Sequence, residues 1–481
     1  MNDRNESFAP PDSSTTDTYS PVRRTALVLT GTGTDGAYHA GVLRALQEAG
    51  VKLDIVGARG IGIVGALFAA VDGVQRLWDE KGFWRAAQAR TLYDWRPVPR
   101  LIAGALALSL AIVGLPLAVA AAGLIVFPID FVLKMVGTGG ARSLLSAYLR
   151  AVQASFAPAA LPTWLPRLVL LVLGSAGLVA VLSGWTAGRH HKRGAFWWFA
   201  AAGPLSSREI VEHSWRVIWD LVRGATQLKQ PSHAELARRY TELLAENLGQ
   251  PGFRELLAVV HDVDAGRDLI FALVAQPKRR DLIRRSTSDA AETRRAEVFD
   301  LTGVARDHLV DAVAAALTLP LATEWHRATF AADGYWRGET HRLCDRPAAL
   351  IRLIDELIAL GVQQIILVSG APPTAGPHAL AAARLDGRGR LGDYLRSTEA
   401  AIVADATNTT GGIRIFTIRP EHNPVGPFDF AGGYDDRSHR AQPLEELISR
   451  GYADAYHQFI EPVVGASGEN VSRTQVRSAK V

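Results

Sequence analysis

Two long stretches without a charge interrupt a chain that otherwise reads as soluble. Residues 101–129 and 168–188 contain no Asp, Glu, Lys or Arg. A bilayer core takes about 20 apolar residues as a helix, so both are long enough to cross. Core helices of soluble domains are usually shorter and keep a polar face. The sequence therefore predicts transmembrane helices over about 101–129 and 168–188. Gly114-Leu115-Pro116 falls in the middle of the first, which makes that run either one kinked span or re-entrant.

The flanks agree with two crossings. Arg90, Arg96 and Arg100 precede the first run, and Arg189, Lys192 and Arg193 follow the second, with His190 and His191 between. Trp95, Trp185, Trp197 and Trp198 stand where interfacial aromatic belts form. Lys134, Arg142, Arg150 and Arg167 are spread more thinly between the runs. The denser outer flanks favour the cytoplasmic side for both ends of the insertion. Two spans also return the chain to the side it left, as one domain built from segments before and after them requires.

Composition narrows the rest. Of 481 residues, 48% are hydrophobic and 21% charged, with a net charge of +4, too mild to suggest a nucleic-acid partner. A single cysteine, Cys344, excludes an internal disulfide and any multi-cysteine metal site. His190-His191 and the run HDVD lack a complete ligand spacing, so neither metal nor cofactor is expected. Residues 1–22 are polar and rich in Pro, Ser and Thr, and read as a disordered tail; residues 466–481 read similarly. Arginine and alanine greatly outnumber lysine, a bias that suggests a GC-rich bacterial source and hence the inner membrane.

Outside the apolar runs, strands and helices alternate. Amphipathic helices are predicted over 207–228 and 233–248, and strands over 256–260, 269–274, 365–368 and 413–418. Short Val/Ile-rich strands separated by helices indicate an α/β fold with a mostly parallel central sheet covered on both faces.

Residues 26–41, ALVLTGTGTDGAYHAG, run from an apolar strand through a glycine-rich turn into a helix. Residues 53–70, LDIVGARGIGIVGALFAA, repeat that strand–turn–helix pattern. Together they resemble the opening of patatin-like phospholipases, with an oxyanion loop of form GGGxxG and a nucleophile elbow of form GxSxG. Gly31, Gly33 and Gly36 match the loop, with Thr32 in place of its middle glycine and Asp35 where the family commonly has Arg or Lys. The elbow has no serine in either register. Anchored on the strand, Ala58 takes the first glycine, Gly60 the nucleophile and Gly62 the second glycine. Anchored on Gly57, Arg59 takes the nucleophile and Ile61 the second glycine. The strand anchor is preferred because it keeps a glycine where the turn needs one.

The resemblance continues in 253–271, in 413–430 with 444–459, and in FAADGYWRGET at 330–340, whose Asp333 matches the acid of the catalytic dyad. As an Asp-Gly, it also reads as an ordinary turn. The resemblance implies a patatin-like three-layer sandwich with a mostly parallel sheet, and the two apolar runs interrupt it with a transmembrane helical hairpin. Its parts are a core at 23–96 and 201–465 and a membrane insertion at 97–200. It implies lipid as partner and a hydrolase fold that lacks the serine that attacks the ester. Arg59 either pairs inward with Asp333 or Asp35, where it could hold an anionic head group or fatty carboxylate, or lies solvated at the surface. The expectation is an impaired membrane-bound family member; an active acyl hydrolase with another nucleophile and a membrane scaffold subunit are the alternatives.

Overall fold

The computed structural model describes residues 19–136, 141–159, 164–188, 203–224, 229–284, 296–303, 305–373, 387–409, 413–420, 433–435, 440–442 and 444–465. The chain divides into two compact units, Met1–Asp94 with Ser207–Val481, and Trp95–Ser206.

The first unit is built on a mixed sheet with nine strands among the described residues. It opens with β1 (Thr25–Thr30), α1 (Asp35–Glu48), β2 (Ile55–Ala58) and α2 (Gly62–Ala70). The insertion then leaves and returns through a two-stranded ladder, β3 (Asp94–Trp95) with β4 (Leu205–Ser206). Its helices are α3 (Pro97–Ala121), α4 (Gly123–Met135), α5 (Ala141–Phe156) and α6 (Leu165–Gly188). After it come α7 (Arg208–Val222), α8 (His233–Asn247), β5 (Glu255–Asp262), β6 (Arg267–Leu273), α9 (Lys278–Arg284), β7 (Val298–Asp300) and α10 (Leu309–Ala316). The chain continues with β8 (His326–Thr329), β9 (Thr340–Cys344), α11 (Ala349–Ala359), β10 (Gln364–Ser369) and α12 (Gly387–Thr409). It closes with β11 (Arg414–Ile418), the small pair β12 (Gly433–Asp435) and β13 (Arg440–Gln442), and α13 (Leu444–Ala455), which runs into a π-helical stretch, Tyr456–Val464.

Strand order is β11-β10-β1-β2-β5-β6-β7, with β9 pairing β5 and β8 pairing β9. The run from β11 to β5 is parallel. Parallel strands need both faces covered, and the alternation along β1 shows how. Ala26 and Val28 join Leu353, Leu357, Val403 and Ala406 of α11 and α12 in one core. Leu29 faces the other way, so close to α2 that a Cβ on Gly62 would approach its carbonyl oxygen to 2.1 Å. On that side α1 packs against α13 almost backbone to backbone. A Cβ on Gly41 would come within 1.9 Å of the Ile448 carbonyl, and one on Gly451 within 2.1 Å of that of Tyr38.

Part of the expected N-terminal tail is packed. Tyr19 is buried, donates its hydroxyl to the Lys52 carbonyl and meets Phe459 edge-on, and Ser20 is hydrogen-bonded to Gln364. Residues 1–18 and 466–481, with the basic and aromatic positions 189–198, lie outside the described residues.

In the second unit, α3 packs along α6, and α5 packs against α4 and the end of α3. Two helical stretches, Pro97–Met135 and Leu165–Leu182, are long and apolar enough to cross a membrane, and both are mostly exposed. α3 is helical through Gly114-Leu115-Pro116, and the break between α3 and α4 falls at Ala122.

Candidate functional site

The parallel strands β1, β2 and β10 all end at one edge of the sheet, where α/β folds place their sites. There the two glycine-rich turns are bonded directly to each other. Arg59 donates its backbone N–H to the Leu29 carbonyl, and Ile61 donates to that of Gly31 at 3.0 Å. Gly60 lies between them with φ +56, the left-handed conformation of a sharp strand-to-helix turn, which glycine adopts without strain. The space above it is filled. A Cβ on Gly60 would stand 2.2 Å from the Gly31 oxygen and 3.0 Å from Oδ2 of Asp345.

The side chain of Arg59 points inward and is fully buried. Its Nε donates to Thr30 Oγ1 at 2.9 Å, Nη1 to Asp345 Oδ2 at 2.6 Å, and Nη2 to Glu399 Oε2. Thr30 closes the ring by donating its hydroxyl to Glu399 Oε1 at 2.6 Å. The four residues come from the ends of β1 and β2, the residue after β9 and the middle of α12. A guanidinium presents a planar fork of donors and cannot shed its charge, so its burial requires this kind of enclosure. Burial works to lower the Arg59 pKa, but Asp345 and Glu399 outweigh it and hold it above its ordinary value. Burial pushes Asp345 up to about 6 against the pull of Arg59, with Glu399 adding to the rise. Asp345 Oδ1 has no partner among the described residues.

The glycine-rich loop is occupied by its own chain. Gly31 and Gly33 take positive φ, and the Asp35 carboxylate folds back to accept the Thr32 N–H at 2.8 Å. Its other oxygen lies over Gly370, just past β10, where a Cβ would come within 2.1 Å. Burial pushes the Asp35 carboxyl up to about 7; the Thr32 N–H opposes this and Glu399 reinforces it. Beneath the loop, burial lowers His39 to about 3, so its ring is neutral and Nε2–H donates to the Thr30 carbonyl at 3.1 Å.

Gly57, Ala58 and Gly62 frame the turn as the end of β2 and the start of α2, and Gly36 gives room to Trp84. Asp333 is elsewhere. It is exposed in the turn joining β8 to β9, so the expected dyad position does not hold in the structure. The carboxylate beside residue 60 belongs to Asp345, which β9 delivers by pairing with β5. The expected partners of Arg59 are corrected in the same way: the guanidinium bonds neither Asp333 nor Asp35. Sequence reading missed Asp345 and Glu399. A signal existed for the first, a carboxylate closing the strand THRLC, but none for a glutamate in the middle of a helix.

No family model matches the chain. Over 68 residues it is 43% identical to patatin-like phospholipase domain-containing protein 6 of Mus musculus, covering 14% of this chain and 5% of that protein. Over 44 residues it is 57% identical to a patatin-like phospholipase domain-containing protein of Caenorhabditis elegans, 9% of this chain and 3% of that one. Over 48 residues it is 50% identical to lysophospholipase nte1 of Aspergillus fumigatus, 10% and 3% respectively. The matches span only a small part of those relatives. They support similarity to the patatin-like phospholipase family. The solved structure of VipD from Legionella pneumophila aligns over 92% of this chain at TM-score 0.30 and 14% identity, too low to carry a fold assignment.

Proposed function

We propose that this is a membrane-anchored patatin-like protein that does not hydrolyse acyl esters and acts as a platform at the lipid surface. The observation that carries the reading is the filled turn: residue 60 offers no nucleophile, and the Gly31 carbonyl takes the volume one would need. The rest of the corner supports it. In an acyl hydrolase, loop amides must be free to meet an oxyanion; here Asp35 already holds the Thr32 N–H. An acid must be free to act as base; here Asp345 is tied to Arg59. Arg59 is fully buried and its three side-chain partners are internal, so no face of it meets a lipid anion. That removes the head-group site as a role for Arg59 and favours the scaffold reading.

The two apolar helical stretches supply the anchor and the contact with lipid. The arginines before α3 and the basic flank after α6 favour the cytoplasmic side for the core, and the composition favours a bacterial inner membrane.

The test is fatty-acid release from phosphatidylcholine and lysophosphatidylcholine by the full chain in nanodiscs, with fluorophosphonate labelling in parallel. Neither signal should exceed a heat-inactivated control, and Gly60→Ser should not create one, because its Cβ has no room. Turnover that disappears in Thr32→Val or Asp345→Asn, with the fold intact by circular dichroism, would overturn the reading.

A further inference from the structure

The last part of the first apolar stretch, α4, and the helix that follows it, α5, are each too short to cross and too apolar on their outer faces to stand in water. At about 1.5 Å per residue, the 25 residues of α3 already measure roughly 37 Å, more than a hydrocarbon core of roughly 30 Å. The following 13 residues of α4 reach only about 20 Å and the 16 of α5 about 24 Å. From this we infer that α4 and α5 form a hairpin lying in the far interface of the bilayer, seated among lipid head groups. The inference rests on the membrane reading above and adds a second mode of lipid contact to it.

Each helix has a seam and a lipid-facing flank. In α5, Leu145, Tyr148, Val152 and Ser155 recur at helical spacing and are half-buried, while Ser146, Arg150 and Gln153 are exposed. Leu149 and Phe156 are exposed beside the seam, so one face is apolar and the other polar. That is the pattern of a helix lying in the plane of an interface. In α4 the seam is Gly123, Val126, Asp130 and Leu133, and Leu124, Ile125, Phe131 and Met135 are exposed. Asp130 is buried in that seam and paired with exposed Lys134 at 2.6 Å. A charged pair is costly at the bilayer centre, but at the interface the ammonium reaches the head groups.

The corner is also built to hold. Tyr148 donates its hydroxyl to the Ala120 carbonyl at 2.9 Å, where α3 ends and a backbone acceptor needs a partner. Gly123 makes the room for it, since a Cβ there would lie 2.4 Å from the Tyr148 hydroxyl, and Phe127 meets the ring edge-on at 5.6 Å. Arg150 makes no ion pair among the described residues and donates from Nε only to a carbonyl of its own helix, leaving its charge for lipid phosphates.

The experiment uses the full chain with Cys344→Ala and single cysteines at Phe131→Cys, Lys134→Cys, Arg150→Cys and Arg208→Cys, in sealed vesicles of phosphatidylcholine and phosphatidylglycerol. A membrane-impermeant maleimide should label positions 134 and 150 from one side and 208 from the other. An environment-sensitive dye at 131 should shift to the blue and be quenched best by shallow quenchers. Labelling of 134 and 150 from opposite sides, or deep quenching at 131, would overturn the hairpin alone. Release of the protein by alkaline carbonate would remove the membrane reading and the hairpin with it.

Discussion

The two units bury opposite things. In the α/β unit, one of the largest fully enclosed side chains is a guanidinium, Arg59, while Leu, Ile and Val line both sheet faces. In the insertion, leucines such as Leu117, Leu124 and Leu170 stand outside, and the buried positions include Ser109 and Asp130. On the membrane reading proposed above, the difference reflects what surrounds each unit. Water rewards an apolar interior and admits a buried cation only with internal partners; hydrocarbon removes the reason to hide leucine. The same side chains thus carry opposite meanings on either side of Trp95.

The largest expected effect lies in the ion cluster. Arg59→Met leaves Asp345 and Glu399 enclosed without their counter-charge and should cost about 3–5 kcal/mol, read as a large drop in the thermal midpoint of the α/β unit. Replacing all three charges with Met and Leu should recover most of that loss. If Arg59→Met alone unfolds at the parent temperature, the cluster is not what holds the corner. Next comes a charge in the other unit. Leu178→Lys, at an exposed position in the middle of α6, should cost about 2.5–3.5 kcal/mol of membrane insertion, seen as loss from the carbonate-washed membrane fraction. The unfolding of the α/β unit should not move, and a shift there would break the contrast between the units.

The smallest effect is a pH slope. Burial raises the Asp35 carboxyl from 3.8 to about 7, so between those values the folded chain holds a proton that the unfolded chain has lost. The stability it contributes is therefore complete below its ordinary value and falls away as pH rises through about 7. Asp345, raised to about 6, acts with the same sign. Asp35→Asn keeps an acceptor for the Thr32 N–H and should flatten the decline in thermal midpoint between pH 5 and pH 8 without abolishing it. An unchanged slope would assign the decline to other groups.

Local pattern made much of the fold legible. The predicted strands at 256–260 and 365–368 lie inside β5 and β10, and the helices predicted from 207 and 233 are α7 and α8. The glycine-rich turns could also be read, because a left-handed φ leaves a glycine in the sequence. What lay beyond reach depended on distance along the chain. Arg59 and Glu399 are 340 positions apart, and no local spacing links them. Asp333 misled because Asp-Gly advertises a turn as readily as a catalytic acid, and the structure uses it as a turn. Pro116 lies inside α3, since a helix can continue through proline when neighbours take up the freed groups.

The ring around Arg59 also orders the events of assembly. Its cation and its Thr30 acceptor emerge before the insertion is made, whereas Asp345 and Glu399 emerge only after it. A nascent chain stopped at Trp95 holds a guanidinium with neither Asp345 nor Glu399 and only two strands of the nine-stranded sheet, with no neighbour for one edge of β1. The α/β unit therefore cannot close early. Its last lock is set only after the apolar helices have left the ribosome.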